Sequence, residues 1–372
     1  MTWIRRIATV IAAMMITSML ATSTASADEP LINTSLPAVT GVPTFGKTLA
    51  AAPGTWNPDD VIIGYQWLRN RAPIAKATTS IHVLALADVG TRIAVRITAF
   101  RSGSEPVVID SAATEKVSPA AIVNKKLPKI SGTLKFRKTL TTSGGTWPVS
   151  SPKLTYRWYR NGVAIAGSAA AKKSYKLGPS DVAKRMTVRV TVAKPGYIAK
   201  SARSAATGVV QHLKPVKRTV KYRVVTRGKI TTSLATFRAQ AQATLNDPRG
   251  WRGMGVSFKE VKSGGSMTLV LSQASKVPSY SSGCSRTYSC RVGRYVIINQ
   301  DRWKKATPSW NKAKGSLRNY RHMVVNHETG HWLGHGHRSC GSKGSLAPLM
   351  QQQSKGLHGC KINPWPKASE LY

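Results

Sequence analysis

Five of the chain's eight histidines fall between His322 and His337, and part of that run has a spacing with chemical meaning. The stretch His327-Glu328-Thr329-Gly330-His331-Trp332-Leu333-Gly334-His335-Gly336-His337 fits H-E-x-x-H-x-x-G-x-x-H. Residues four apart on a helix differ by only about 40° in rotation, so His327 and His331 project from one face, one turn apart. Two imidazole nitrogens then reach a single ion. Gly334 lets the chain leave the helix sharply, because glycine accepts positive φ without penalty. The turned chain brings His337 back as a third nitrogen. Three protein ligands leave one position of a tetrahedral Zn2+ open, the arrangement of a catalytic rather than a structural zinc. Glu328 is placed to act as general base toward a water and to return the proton to a leaving amine. Only six acidic residues occur from residue 117 onward, so a glutamate in this slot stands out from its background. His335, four residues after His331, competes with His337 as third ligand, but it would require a continued helix. Gly334 and Gly336 argue against one, which leaves His335 at the rim, with His322 and His358 as packing or surface residues.

The elements that must carry this motif can be read from periodicity. Val220 to Val225 reads as a strand. Ser233 to Asp247 reads as a helix with Ser233 as N-cap and Leu234, Phe237, Ala241 and Leu245 along one face. Val256 to Val261, Met267 to Leu271 and Tyr295 to Asn299 are further strands, and Tyr320 to Gly334 is a helix ended by glycine. The order is β-α-β-β-β-α. The four cysteines, Cys284, Cys290, Cys340 and Cys360, all lie in this last part of the chain. Four permit three pairings, and sequence order favours 284–290 and 340–360. The absence of a C-x2-C knuckle argues for disulfides, and hence an oxidising compartment, over a second zinc site.

The motif is that of the metzincin superfamily of zinc endopeptidases, which the chain resembles beyond the histidines. Members carry a methionine turn beneath the metal, and Ala347-Pro348-Leu349-Met350 looks like it, which points to Met350. The region also resembles a secreted actinobacterial family of metzincin type. The matching stretches are Thr244 to Trp251, Cys290 to Asn299, Val325 to His331, Met350 to Gln353 and Asn363 to Pro366. The resemblance covers about 150 residues and implies an α+β zinc metallopeptidase domain. It supplies no substrate. No cysteine precedes residue 284, so latency through a cysteine switch is excluded.

The first half of the chain is a tandem repeat. Gly54-Thr55-Trp56 recurs as Gly145-Thr146-Trp147 and Tyr65-x-Trp67 as Tyr156-x-Trp158, each 91 residues on. After a two-residue insertion the offset becomes 93, as in Asp88-Val89 against Asp181-Val182 and Val95-Arg96 against Val188-Arg189. Short alternating strands bounded by turn residues, in units of this length, predict two all-β immunoglobulin-like sandwiches with Trp67 and Trp158 in their cores. Trp56 and Trp147 are expected to pack at strand edges rather than stack on sugars. These units resemble tandem immunoglobulin-like repeats of actinobacterial surface proteins, and imply spacer or adhesion modules.

Residues 1–27 read as a signal peptide, with Arg5-Arg6, the apolar run Ile7 to Leu20 and Ala25-Ser26-Ala27 as cleavage site. The expected organisation is therefore leader (1–27), repeat 1 (30–120), repeat 2 (121–210), a linker near Gly208 to Thr219, and the α+β domain (215–372). No further segment is apolar enough to span a membrane. A formal charge of +42 attracts polyanions. Scattered basic residues and the lack of a nucleic-acid motif favour anionic cell-wall polymers over nucleic acid as partner. The expectation is a secreted or wall-associated zinc metallopeptidase acting on a peptide or protein. The alternatives are a non-catalytic surface adhesion protein that keeps the fold, and an amidase of peptidoglycan cross-links.

Overall fold

The computed structural model describes residues 30–372, and the expected leader lies outside them. The described chain divides into two units. One runs to Ala121 and includes Lys194–Ile198; the other comprises Ile122–Ala193 and Ala199–Tyr372.

In the first unit, the strand Ile93–Phe100, with Ile93, Val95 and Ile97 on its buried face, pairs antiparallel with Ile62–Arg69. Ala72–Pro73 and Val107–Asp110 complete a four-stranded sheet, and a three-stranded sheet is formed by Ala38–Thr40, Thr48–Ala52 and Ile81–Val83. Trp67 is fully buried with Leu49, Val95 and Ile97, as the strand pattern demands when one face of each sheet meets the other. Trp56 is buried and donates its indole N–H to the Pro53 carbonyl.

The second module, in the other unit, repeats this plan. Its four-stranded sheet has the order Val163–Ala164, Lys153–Arg160, Met186–Ala193, Lys200–Arg203, and its three-stranded sheet the order Ile130–Ser131, Thr139–Thr142, Ser174–Lys176. Trp158 takes the buried place of Trp67, while Trp147 is only half-buried. Each module also buries one aspartate fully. Asp88 accepts from Arg69 and the Ala85 N–H, and Asp181 accepts from Arg160 and the Gly178 N–H. Burial alone would raise the Asp88 carboxyl, but the Ala85, Arg69 and His82 contacts outweigh it and hold the group below its ordinary range. The module ends later than the sequence places the linker. Val210 is buried in its core and Val209 to Gln211 bridge to it, so the connector is residues 212–217.

The C-terminal part is α+β. Its strands are β1 (Arg218–Arg227), β2 (Val256–Glu260), β3 (Met267–Ser272), β4 (Cys290–Val292) and β5 (Tyr295–Asn299), in the order β2-β1-β3-β5-β4. All pairings are parallel except the edge strand β4, which runs antiparallel to β5. Every residue of β3 is buried, as expected of a central parallel strand covered on both faces. Helix α1 (Leu234–Leu245) starts where Ser233 Oγ accepts from the Thr236 N–H, and buries Phe237, Ala241 and Leu245. Two short helices that periodicity missed, α2 (Gln300–Lys305) and α3 (Pro308–Lys312), precede α4 (Leu317–Trp332). Strand β4 was also unforeseen. The motif helix α4 buries Tyr320, Met323, Val324 and Val325 in the domain core, which turns the next helical turn toward a cleft.

Candidate metal centre

Helix α4 presents His327 and His331 one turn apart, and the chain leaves it at Gly334 with φ +101°, a value open to glycine at no cost. His337 returns to the same point. The Nε2 atoms of His331 and His327 are 3.2 Å apart, those of His331 and His337 3.0 Å, and one donor atom from each of the three lies within 4.8 Å of the others.

The distal nitrogens explain this convergence. His327 Nδ1 is 2.9 Å from the Leu349 carbonyl and His331 Nδ1 is 2.8 Å from the His335 carbonyl. A carbonyl can only accept, so both protons sit on Nδ1 and both Nε2 lone pairs face inward. Burial, against the Leu349 contact, pushes His327 down to about 3, and burial lowers His331 and His337 as well, so the rings are neutral near pH 7. Lone pairs this close repel unless an electron acceptor lies among them. Tetrahedral coordination at 2.0–2.1 Å demands nitrogens about 3.3 Å apart, near the two spacings that His331 makes with His327 and His337. The residues fit a zinc ion.

Glu328 faces a cleft of about 470 Å³ lined also by the three histidines, Tyr288, Arg291 and Lys355. Burial raises its carboxyl to about 8, against the lowering field of Arg291. A dication nearby would pull it back toward the ionised form.

Met350 lies directly under the motif helix. A side chain on Gly330 would occupy the space of Met350 Sδ and of the Trp251 ring, so the helix can settle on this floor only with glycine there. His335 does not join the cluster. Its ring stacks on Trp251 at 4.7 Å between centroids, and its Nδ1 is 3.2 Å from the Tyr372 hydroxyl. His322 packs on Trp365 and meets Thr244 Oγ1 at 2.9 Å, while His358 is exposed.

The disulfides are Cys284–Cys290 and Cys340–Cys360. The first closes the loop that supplies Ser285, Tyr288 and Ser289 to the cleft, and the second closes the loop that contains Met350.

Sequence reasoning missed Glu370. Its fully buried carboxylate accepts from the backbone N–H groups of Leu349, Met350 and Lys367 at 3.0, 2.9 and 2.8 Å. It therefore pins the turn whose carbonyl orients His327. The only advance signal was an acidic residue in a region almost without them. Trp251 was quoted for resemblance alone, yet it supports His335 and donates its indole N–H to the Asn326 carbonyl of α4.

Residues 199–366 match the family described as "Protein of unknown function (DUF3152)". No curated protein matches the chain. Among solved structures, the three N-terminal domains of the bacteriophage RB49 outer capsid protein Hoc are 15% identical, with 52% of this chain and 65% of that chain covered, at a TM-score of 0.23. Chicken CNTN1 domains FN1–FN3 are 14% identical, with coverage of 46% and 65% and a TM-score of 0.17. An amphioxus IgVJ-C2 molecule is 8% identical, with coverage of 48% and 97% and a TM-score of 0.23. The chain thus spans 65% of the length of the phage and chicken fragments.

Proposed function

We propose that the C-terminal domain is a zinc-dependent peptidase of metzincin type, carried at the cell envelope by the two modules, of which the second is strongly basic. The observation that carries this reading is the convergence of three inward-facing Nε2 atoms beside a cleft that also holds a carboxylate. His327, His331 and His337 would hold the ion, which when bound supplies a Lewis acid that polarises the scissile carbonyl and acidifies water. Glu328 takes the proton of the attacking water and delivers it to the departing amine nitrogen. Leu349 and His335 fix two imidazoles through their carbonyls, so the rings need no reorganisation when substrate arrives. Met350 and Gly330 set the depth at which the helix lies. No described helix is long and apolar enough to cross a membrane, and the two disulfides suit an oxidising compartment.

The test is metal analysis combined with cleavage of an unbiased peptide library. His331→Ala is expected to lose bound zinc. Glu328→Ala is expected to keep zinc and lose turnover by about 10²-fold or more. Full hydrolysis by the glutamate variant would refute the mechanism. Stoichiometric zinc in the wild type, with no cleavage of any peptide or wall fragment, would instead favour a binding protein.

A further inference from the structure

The two modules differ at one place in a way their shared fold does not require. Along the outer face of the four-stranded sheet in the second module, Arg157, Arg189 and Arg203 are direct cross-strand partners. Adjacent strands lie about 5 Å apart, so the three guanidinium stems start in a row across roughly 10 Å. Lys153, Thr155, Thr187, Thr191 and Ser201 extend the same face, and no carboxylate lies on it. Like charges placed directly opposite are destabilising.

At the equivalent row of the first module the partners are Gln66, Arg96 and Asp110. There the charge is cancelled within the row, since Arg96 makes a two-point contact with Asp110 at 2.7 and 3.0 Å. The first-position residue does the same local work in both copies. Gln66 donates to the Ile74 carbonyl at 2.8 Å, and Arg157 donates to the Ile165 carbonyl at 3.0 Å. Neither arginine nor the loss of the acid is therefore needed to build the sheet. Tyr159 replaces Leu68 beside the row, and its ring lies 4.0 Å from Arg203 and 5.6 Å from Arg189. The ring holds both guanidinium groups against the sheet, which lowers the entropy they lose on meeting a ligand.

A regular row of planar, pre-positioned guanidinium groups matches closely spaced anionic oxygens, and phosphate oxygens accept from arginine in a two-point fork. The row offers bases no exposed aromatic ring to stack on. Tyr159, the one aromatic ring of this face, is 6% exposed beneath the arginines, so no platform remains for stacking. We propose that Arg157, Arg189 and Arg203 form a binding site for the backbone of a base-free polyol-phosphate polymer of the envelope. This site rests on the reading of the modules as attachment domains and is independent of the peptidase reading.

The molecule supplies its own control. Arg157→Gln with Arg203→Asp copies the row of the first module into the second. The full chain and this variant are titrated with poly(glycerol phosphate) of defined length over a series of salt concentrations. An oligo-dT of equal phosphate number serves as comparator. The variant is expected to bind at least about tenfold more weakly at 0.1 M salt, and its salt slope should be smaller by about two. A charge-matched control, Lys125→Gln, Lys126→Gln and Lys129→Gln, removes the same positive charge from exposed positions of the same module and should stay within about twofold of wild type. Thermal melting should show the row variant at least as stable as wild type, because it exchanges repulsion for an ion pair. Equal binding by wild type and row variant would overturn the site while leaving attachment standing. No binding by wild type would overturn both, and tighter binding of oligo-dT would assign the row to nucleic acid. Equal loss in the lysine control would reduce the effect to diffuse charge.

Discussion

Glu370 shows how far a single side chain reaches into the site. Its carboxylate never faces the cleft, yet three backbone N–H groups depend on it, two of them in the turn that orients His327. Glu370→Gln keeps the shape but turns one acceptor oxygen into a donor amide that faces an N–H group. The expected loss is about 2–3 kcal/mol of stability, read from the denaturant midpoint of the α+β domain. Zinc affinity should fall by about tenfold, since removal of an outer support of a ligating histidine has that scale. An unchanged zinc affinity would separate the turn from the metal. His327, Glu328 and His331 were legible because helical spacing is local information, and His337 because Gly334 announces the exit from the helix. Glu370 was not, since nothing in residues 366–372 announces a partner twenty residues upstream.

Among the elements, α4 is held at both ends of its buried face. Toward its N-terminus, His322 meets Thr244 of α1 and the Trp365 ring. Burial, reinforced by the field of Arg318, pushes His322 down to about 4. Its folded pKa lies below the ordinary 6.5, so the stability it contributes is complete above pH 6.5 and is lost as pH falls toward 4. The loss is on the order of 3 kcal/mol. Denaturation measured at pH 7, 5.5 and 4.5 should show this acid limb, and His322→Gln should make it shallower without removing it, since burial pushes His327 lower still. An equally steep limb in the variant would place the acid sensitivity elsewhere.

At this scale the sequence reading was accurate for the long periodic elements and weaker for short ones. Ser233 capping and the α1 face appear in the structure as the pattern implied. Helices α2 and α3 escaped because five or six residues carry too little periodicity, although Asn299 and Thr307-Pro308 are recognisable start signals. Strand β4 has three residues and pairs on one side only, which leaves no alternation to read. The expected linker began inside the second module, at Gly208, because Val209 and Val210 sit among glycine and threonine that look like linker. Burial of Val210 is decided by long-range packing.

Over the whole chain, the positive charge was legible as a total and illegible as a pattern. Arg157, Arg189 and Arg203 lie in three separate stretches of sequence, and only strand register makes them neighbours. The duplication made the comparison with Gln66, Arg96 and Asp110 possible, but only after the pairing was known. The Cys340–Cys360 bridge has a bearing of another kind. It closes a loop of about twenty residues around Met350, worth roughly 3 kcal/mol of restraint on the unfolded loop. All three imidazoles and Glu328 exist in the thiol form of the chain, but the floor beneath them is then tied down at one end less. On the peptidase reading, a firm floor beneath the metal would then require the oxidised bridge. Thiol reductant at fixed free zinc should accordingly lower zinc occupancy of the wild type and leave the Cys340→Ser, Cys360→Ser variant, already relaxed, unmoved.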